Sequence, residues 1–374
     1  MRKRGTSPAL RQNCTKCLMF DLIVELTTAH SPVGNEREID AVLRAHLDPL
    51  PCEVWQDSAS NLIVKIAGSA SDCPLILDAH KDELGLVIKR IEDDGKIRVA
   101  TLGGTYPWKY GEGPMDILGD AGVVPAILCF GAMHVTEESP IQAVRSDGGR
   151  QLKWSDCYLD AKLSKNELLA RGVHPGSKVV VSRQRKVPVR IGDFVGTYAL
   201  DDKGAVAILV SLATLLASDP PPQDVYLVFS STEENAGGGG PFAARTLPGD
   251  TYIALEIAPV AEEYGVVAGG APVLVYKDAY NVYDEGLLRH FADLAKELDL
   301  EVQYAAFESY GTNASIARKV AAIGRIAAVA FPCQNTHGFE MAHLDSLTNL
   351  TTLLLTFVNR WPAILQDQSA SPDA

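Results

Sequence analysis

The run DVYLVFSSTEEN, residues 224–235, sets five consecutive apolar residues ahead of a pair of carboxylates, with three residues between. A short apolar run bounded by turn residues reads as a strand buried on both faces, as in a parallel sheet. The same pattern recurs in PLILDAHKDELG (74–85), in TYIALEIAP (251–259) and in RIAAVAF (325–331), which leads into NTHGFE (335–340). These runs predict strands at Asn61–Ile66, Pro74–Ala79, Asp224–Ser230, Tyr252–Ile257 and Arg325–Phe331. Helical apolar spacing marks Phe20–Thr28, Glu36–Leu50, Lys203–Ala217, Glu285–Leu298, Asn313–Ala322 and Asp345–Val358. Buried strands alternating with helices predict an α/β fold around a sheet.

The stretch from about Leu86 to Arg190 breaks this alternation. Its segments Leu86–Ile91, Ile97–Thr101, Val123–Phe130 and Lys178–Ser182 read as strands, with a helical pattern only near Ser164–Arg171. It is expected to form a small β-barrel inserted into the α/β domain. The resulting organisation is a loose tail over 1–17, a discontinuous α/β domain over 18–86 and 191–365, the insert over 87–190, and a polar tail over 366–374.

Composition narrows the function. The 374 residues carry 34 Lys and Arg against 47 Asp and Glu, a formal net charge of −13. Nucleic-acid backbones are bound by clustered cations, so this balance argues against a nucleic-acid partner. No apolar stretch is long enough to span a bilayer, which argues against a membrane role. The seven cysteines are irregularly spaced, and the basic N-terminus lacks an apolar segment and cleavage site behind it. Both features point to a reducing cytoplasm. Cys14 and Cys17 form a lone CxxC with no second pair to complete a metal site.

In open α/β sheets the loops past the carboxyl ends of the strands share one crevice. His80 and Asp82 follow one predicted strand, Glu233 and Glu234 another, Glu256 ends a third and His337 follows a fourth. Asp201 and Asp202 precede the helix from Lys203. Each has an ordinary alternative: a structural histidine, a helix N-cap, a solvated loop, a buried carboxylate held by a cation. As a set, His80, Asp201, Glu234, Glu256 and His337 suit two borderline divalent ions, zinc first and cobalt second. A bridging carboxylate would hold two such ions about 3.5–4 Å apart. Glu233, beside a ligand but free, would serve as general base for water. The glycine run Gly237–Gly240 lacks the partners of a phosphate loop and suggests a close backbone approach to substrate. His134 is expected to be structural, and His343 has no assigned role.

From Phe20 to Arg360 the sequence resembles the tetrahedral aminopeptidases, family forty-two of the metallopeptidases, which includes glutamyl and deblocking aminopeptidases and cellulase-M-like proteins. DAHKDELG resembles the family's His-x-Asp segment, which implies His80 as ligand and Asp82 as the catalytic residue that orients it. ALDDKGAVA (199–207) is similar to the bridging-Asp motif, which implies that Asp201 is shared by both ions, with a cis Asp201–Asp202 peptide. STEEN (231–235), ALEIAP (254–259) and NTHGFE are similar to the motifs that supply Glu233 as base and Glu234, Glu256 and His337 as ligands. His80 and Glu256 would hold one ion, Glu234 and His337 the other. The 121 residues between His80 and Asp201, against 81 between Glu256 and His337, put the insert where these aminopeptidases carry theirs.

The resemblance implies a three-layer α/β/α zinc-peptidase domain with a PDZ-like barrel used for dimerisation and substrate. It also implies removal of N-terminal residues from short peptides, with Glu233 activating a metal-bridging water, and a homo-oligomer of the tetrahedral dodecamer kind. Three departures stand out: Glu256 where Asp is usual, Asn313 in a Gly-Thr-Asp position, and the glycine run in place of Gly-x-Arg-Gly. The last two motivate one alternative, a deacylase acting on N-acylated or blocked amino acids or dipeptides. A catalytically silent oligomeric scaffold is the other.

Overall fold

The computed structural model describes residues 8–135, 139–235 and 237–369. Among these, eleven strands form one mixed sheet and six close into a separate barrel. The centre of the sheet is parallel and runs Gln223–Ser230, Ala70–His80, Thr251–Pro259, Arg325–Gln334. Every residue of Gln223–Ser230 is buried, as its unbroken apolar run requires. Antiparallel strands extend both flanks: Glu53–Gln56 and Leu62–Ile66 on one side, Phe339–His343, Phe194–Tyr198 and Val189–Ile191 on the other. Val273–Lys277 and Gln303–Ala306 branch from Arg325–Gln334.

Register brings the chemistry together. Ser230 pairs with His80, and Ala254 pairs with Asp78, so Glu256 stands level with His80 two residues farther along. Helix Leu200–Ser218 packs against both of those strands. Its buried Gly204 lies where a Cβ would come within 2.6 Å of the Phe331 ring, so helix and sheet approach closely there.

The barrel strands are Gly85–Ile91, Ile97–Leu102, Tyr158–Asp160, Gly122–Cys129, Gly113–Gly119 and Lys178–Val181, in that closed order. They enclose a core of their own that includes Leu86, Ile97, Met115, Ile117, Leu128 and Val179. Gly113–Gly119 (GPMDILG) escaped the sequence reading because two glycines and a proline dilute its alternating Met115 and Ile117.

Both termini depart from the expected tails. Helix Pro8–Thr28 begins ten residues before Leu18, so 8–17 are helical. No glycine or proline interrupts it, and Lys16 is buried against Asp345 at 2.7 Å and Asp193 at 3.4 Å. Helix Leu344–Ser369 likewise runs through part of the expected C-terminal tail; Trp361 anchors it by donating to the Cys73 carbonyl at 2.9 Å. Residues 1–7 and 370–374 lie outside the described residues, as does the side chain of Cys14.

A buried ion cluster fastens the barrel's two connections to the sheet domain. Glu83, just before the barrel, accepts from Lys186, just after it, at 2.8 and 2.9 Å. Lys203 lies 3.5 Å from the same carboxylate, and both lysines donate to the Ala29 carbonyl. Burial alone would raise the Glu83 carboxyl, but the lysine charges outweigh it and hold it down at about 2. A carboxyl lowered on folding contributes its full stability above its ordinary value of 4.5 and loses it as pH falls toward 2. Glu83→Gln should therefore destabilise the protein by about 3–5 kcal/mol at neutral pH, because it strands a buried lysine charge. Urea unfolding midpoints should show that gap at pH 7 and show it narrowing between about pH 4.5 and 2; equal midpoints at pH 7 would refute the assignment.

Candidate metal centre

Strand Ala70–His80 ends on His80, strand Thr251–Pro259 carries Glu256 toward its carboxyl end, the turn after Gln223–Ser230 supplies Glu233 and Glu234, and the start of helix Leu200–Ser218 supplies Asp201. His337 comes from the turn between Arg325–Gln334 and Phe339–His343, with a φ of 62°. The Asp201–Asp202 peptide is cis. His80, Asp201, Glu233, Glu234, Glu256 and His337 thus lie together, with Asp82 against His80 and the Glu233 backbone.

Asp201 is the common member of the cluster. Its two oxygens face two imidazoles, His80 Nε2 at 3.1 Å and His337 Nε2 at 3.6 Å. Donor atoms of His80, Asp201 and Glu256 lie within 4.8 Å of one another, and so do those of Asp201, Glu234 and His337. Each trio mixes imidazole nitrogen with carboxylate oxygen, the donor set of zinc-like ions. Glu234 Oε1 is buried with no hydrogen-bond partner among the described residues, so a ligand valence is left open toward the cluster. The residues present therefore fit divalent-cation binding.

Electrostatics supports the same reading. Burial, then Asp201, pushes Glu256 and Glu234 well above the usual carboxylate range. Burial, with Asp82 and Asp201 opposed by His80, raises Glu233 to about 7. Burial opposes charge on Asp201 and His80 as well. Their mutual hydrogen bond and the surrounding charges and hydrogen bonds together outweigh it, holding the Asp201 carboxyl low and the His80 ring well above its ordinary value. Burial and like charge thus disfavour the ionised form of several carboxyls, and a cation among them would favour it.

The supports are equally specific. Asp82 accepts from the backbone N–H groups of Glu233 at 3.0 Å and Glu234 at 3.1 Å, and its carboxylate lies 3.6 Å from His80 Nδ1. It thus orients the paired-Glu turn as well as the imidazole. Two supports were not read from the sequence. Glu340 accepts from the N–H of His337 at 2.8 Å and of Asp201 at 3.0 Å. The Gly104 carbonyl, contributed from beside the barrel, accepts from His337 Nδ1 at 2.9 Å, leaving Nε2 toward the cluster. Glu340, three residues past His337 in NTHGFE, was open to notice; Gly104 carried no signal.

The glycine run and Asn313 lie behind the site rather than in it. A Cβ on Gly240 would fall 2.4 Å from Asn313 Cγ, and one on Gly239 would fall 2.2 Å from Asn61 Oδ1. The close approach expected toward substrate is thus made to the protein interior. Asn313 Nδ2 donates to Asp78 Oδ2 and to Ser230 Oγ, both at 2.9 Å. His343 Nδ1 accepts from the Asp345 N–H at the start of the last helix, and His134 is exposed.

The crevice over the cluster measures about 630 Å³. Its walls include Asp201, Glu233, Glu234, Glu256 and His337 from the sheet domain, with Tyr106 and Trp108 from the insert.

Comparison with known proteins agrees with this geometry. The family profile described as M42 glutamyl aminopeptidase matches residues 60–353. The glutamyl aminopeptidase of Lactococcus lactis is 21% identical over 306 residues, covering 80% of this chain and 84% of that protein. Among solved structures, the aminopeptidase APDkam598 from Desulfurococcus kamchatkensis superposes with a TM-score of 0.84 at 21% identity, covering 96% of this chain and 99% of that one. The Pyrococcus horikoshii TET1 peptidase, which can assemble into a tetrahedron or a large octahedral shell, gives 0.81 at 23% identity over 91% of this chain and 99% of that one. The chain is a peptidase and belongs to the M42 glutamyl aminopeptidase family.

Proposed function

We propose that this protein is a two-metal aminopeptidase that removes N-terminal residues from short peptides. The observation that carries the reading is the pair of donor trios sharing Asp201, with Glu233 at their edge. His80 and Glu256 would hold one ion and Glu234 and His337 the other, with Asp201 between them. Zinc is the first choice for this N/O set and cobalt the second. Bound there, the ions supply Lewis acidity for the scissile carbonyl and for a water.

Glu233 does the proton transfer. Its carboxylate lies 3.9 Å from His80 Nε2, and its backbone N–H is fixed by Asp82. It would take a proton from the attacking water and hand it to the leaving amine. Asp82 and Glu340 hold the ligating residues in place without touching substrate. The sheet with its helices over 18–86 and 191–365 is read as the three-layer α/β/α zinc-peptidase unit. The insert over 87–190 is read as a PDZ-like domain serving dimerisation and substrate, within a homo-oligomer of the tetrahedral dodecamer kind. Six described cysteines are free, in keeping with a cytoplasmic setting.

The deacylase alternative drew on Asn313 and the glycine run, and both contact the protein interior instead of the crevice. The scaffold alternative has to account for a complete donor set with its base.

Two experiments test the reading. Glu233→Gln should keep two metals per subunit by elemental analysis while kcat falls by about 10²–10⁴; turnover near the parent's would sink the mechanism. Asp201→Ala removes the residue common to both trios, so bound metal should drop below one per subunit. The heat stability that added zinc confers on the chelator-treated parent should also largely disappear. Full metal retention in Asp201→Ala would overturn the bridging role.

A further inference from the structure

Between its barrel strands the insert sends one short segment to the metal cluster. Gly104 holds the His337 ring through its carbonyl, and a Cβ on Gly103 would fall 2.9 Å from the Glu234 carbonyl oxygen. Pro107 opens a single helical turn, closed by the Gly111 N–H donating to the Pro107 carbonyl at 2.8 Å. Lys109 Nζ donates to the Thr336 carbonyl at 2.9 Å, one residue before His337. The segment is therefore fixed to the same loop that carries a candidate ligand.

This turn leaves two large aromatic side chains uncovered. Trp108 is 49% exposed and Tyr106 50%, with ring centroids 5.5 Å apart and planes 31° from each other. Both line the crevice that holds Glu233, Glu234, Glu256 and His337. The carboxylates are withdrawn from solvent and the rings lie half in it, so a chain passing from cluster to solvent can run over the rings. In an aminopeptidase only one residue lies on the N-terminal side of the cleaved bond. Everything beyond that bond must lead outward, along the open part of the crevice.

We propose that Trp108, backed by Tyr106, is a specificity-determining residue that packs against the peptide beyond the scissile bond and favours a large apolar or aromatic second residue. This rests on the aminopeptidase reading above. An exposed rigid indole offers apolar area at little entropic cost. Lys109 lies 5.6 Å from the indole centroid, but its ammonium is engaged by Thr336, so the apolar face sets the preference.

The test uses the zinc-loaded full chain with three substrates sharing whichever N-terminal residue is cleaved fastest: its amide, which has no second residue, and tripeptides with Phe or Gly second. The parent should prefer Phe over Gly by about tenfold or more in kcat/KM, mostly through KM. Trp108→Ala should erase that preference and leave the amide within about twofold, and Trp108→Phe should retain part of it. The proposal is overturned if the parent shows no preference at the second position. It is also overturned if Trp108→Ala slows the amide as much as the tripeptides, or changes the particle size by light scattering, which would make the indole a structural contact. If the loaded parent cleaves none of the three, the aminopeptidase reading falls with it; intact cleavage without discrimination removes this proposal alone.

Discussion

Carboxylates that are buried together without enough counter-charge are the constraint on which this structure turns. Asp201, Glu233, Glu234 and Glu256 converge on one crevice, with Asp78, Asp82, Asp202 and Glu340 packed around it. An isolated buried carboxylate is costly, and neighbours of the same sign make it costlier. The fold offsets part of that cost locally. His80 and His337 face Asp201, and backbone N–H groups satisfy Asp82 and Glu340. What remains, on Glu234 and Glu256 above all, is the share that a divalent cation can neutralise.

The same economy governs the barrel. At its junction with the sheet domain Glu83, Lys186 and Lys203 are buried together, and in that group cations outnumber the carboxylate. Burial and that imbalance bring Lys203 down to about 7 while Glu83 stays ionised. Lys203 lies two residues after Asp201 and Glu83 one after Asp82, so one cluster fixes both the start of the helix and the end of the His80 segment. The insert thereby enters the site at a defined depth, which is what lets Gly104 reach His337.

Much of this was legible because burial leaves a compositional trace. Unbroken runs such as VYLVFS have to be interior strands, and a polar residue at the end of one has to be compensated. That logic locates His80, Glu234 and Glu256 without any three-dimensional knowledge. It fails where the signal is backbone or long range. Gly104 acts through a carbonyl, which any residue type provides. Flanking strands such as Phe194–Tyr198 and Phe339–His343 are short and only partly buried, so their alternation is weak. Tyr106 and Trp108 come to line the crevice only through the folding of the insert against the sheet. Lys16 in the first helix meets Asp345, a contact 329 residues apart that local sequence does not reveal.

Asn313 can be understood in the same electrostatic terms. Its amide donates to Asp78, which lies two residues before His80. Burial raises Asp78 to about 6 even with Ser230 and Asn313 donating to it. A carboxylate at position 313 would set acceptor against acceptor beneath the site, and the pair would have to share a proton. The amide removes that conflict and keeps Asp78 fixed under the strand end that presents His80. Gly240 is the steric counterpart, since the helix bearing Asn313 can lie this close only with no Cβ in the way. Asn313 and the glycine run are thus one feature: a neutral, tightly packed floor beneath a cluster already rich in negative charge.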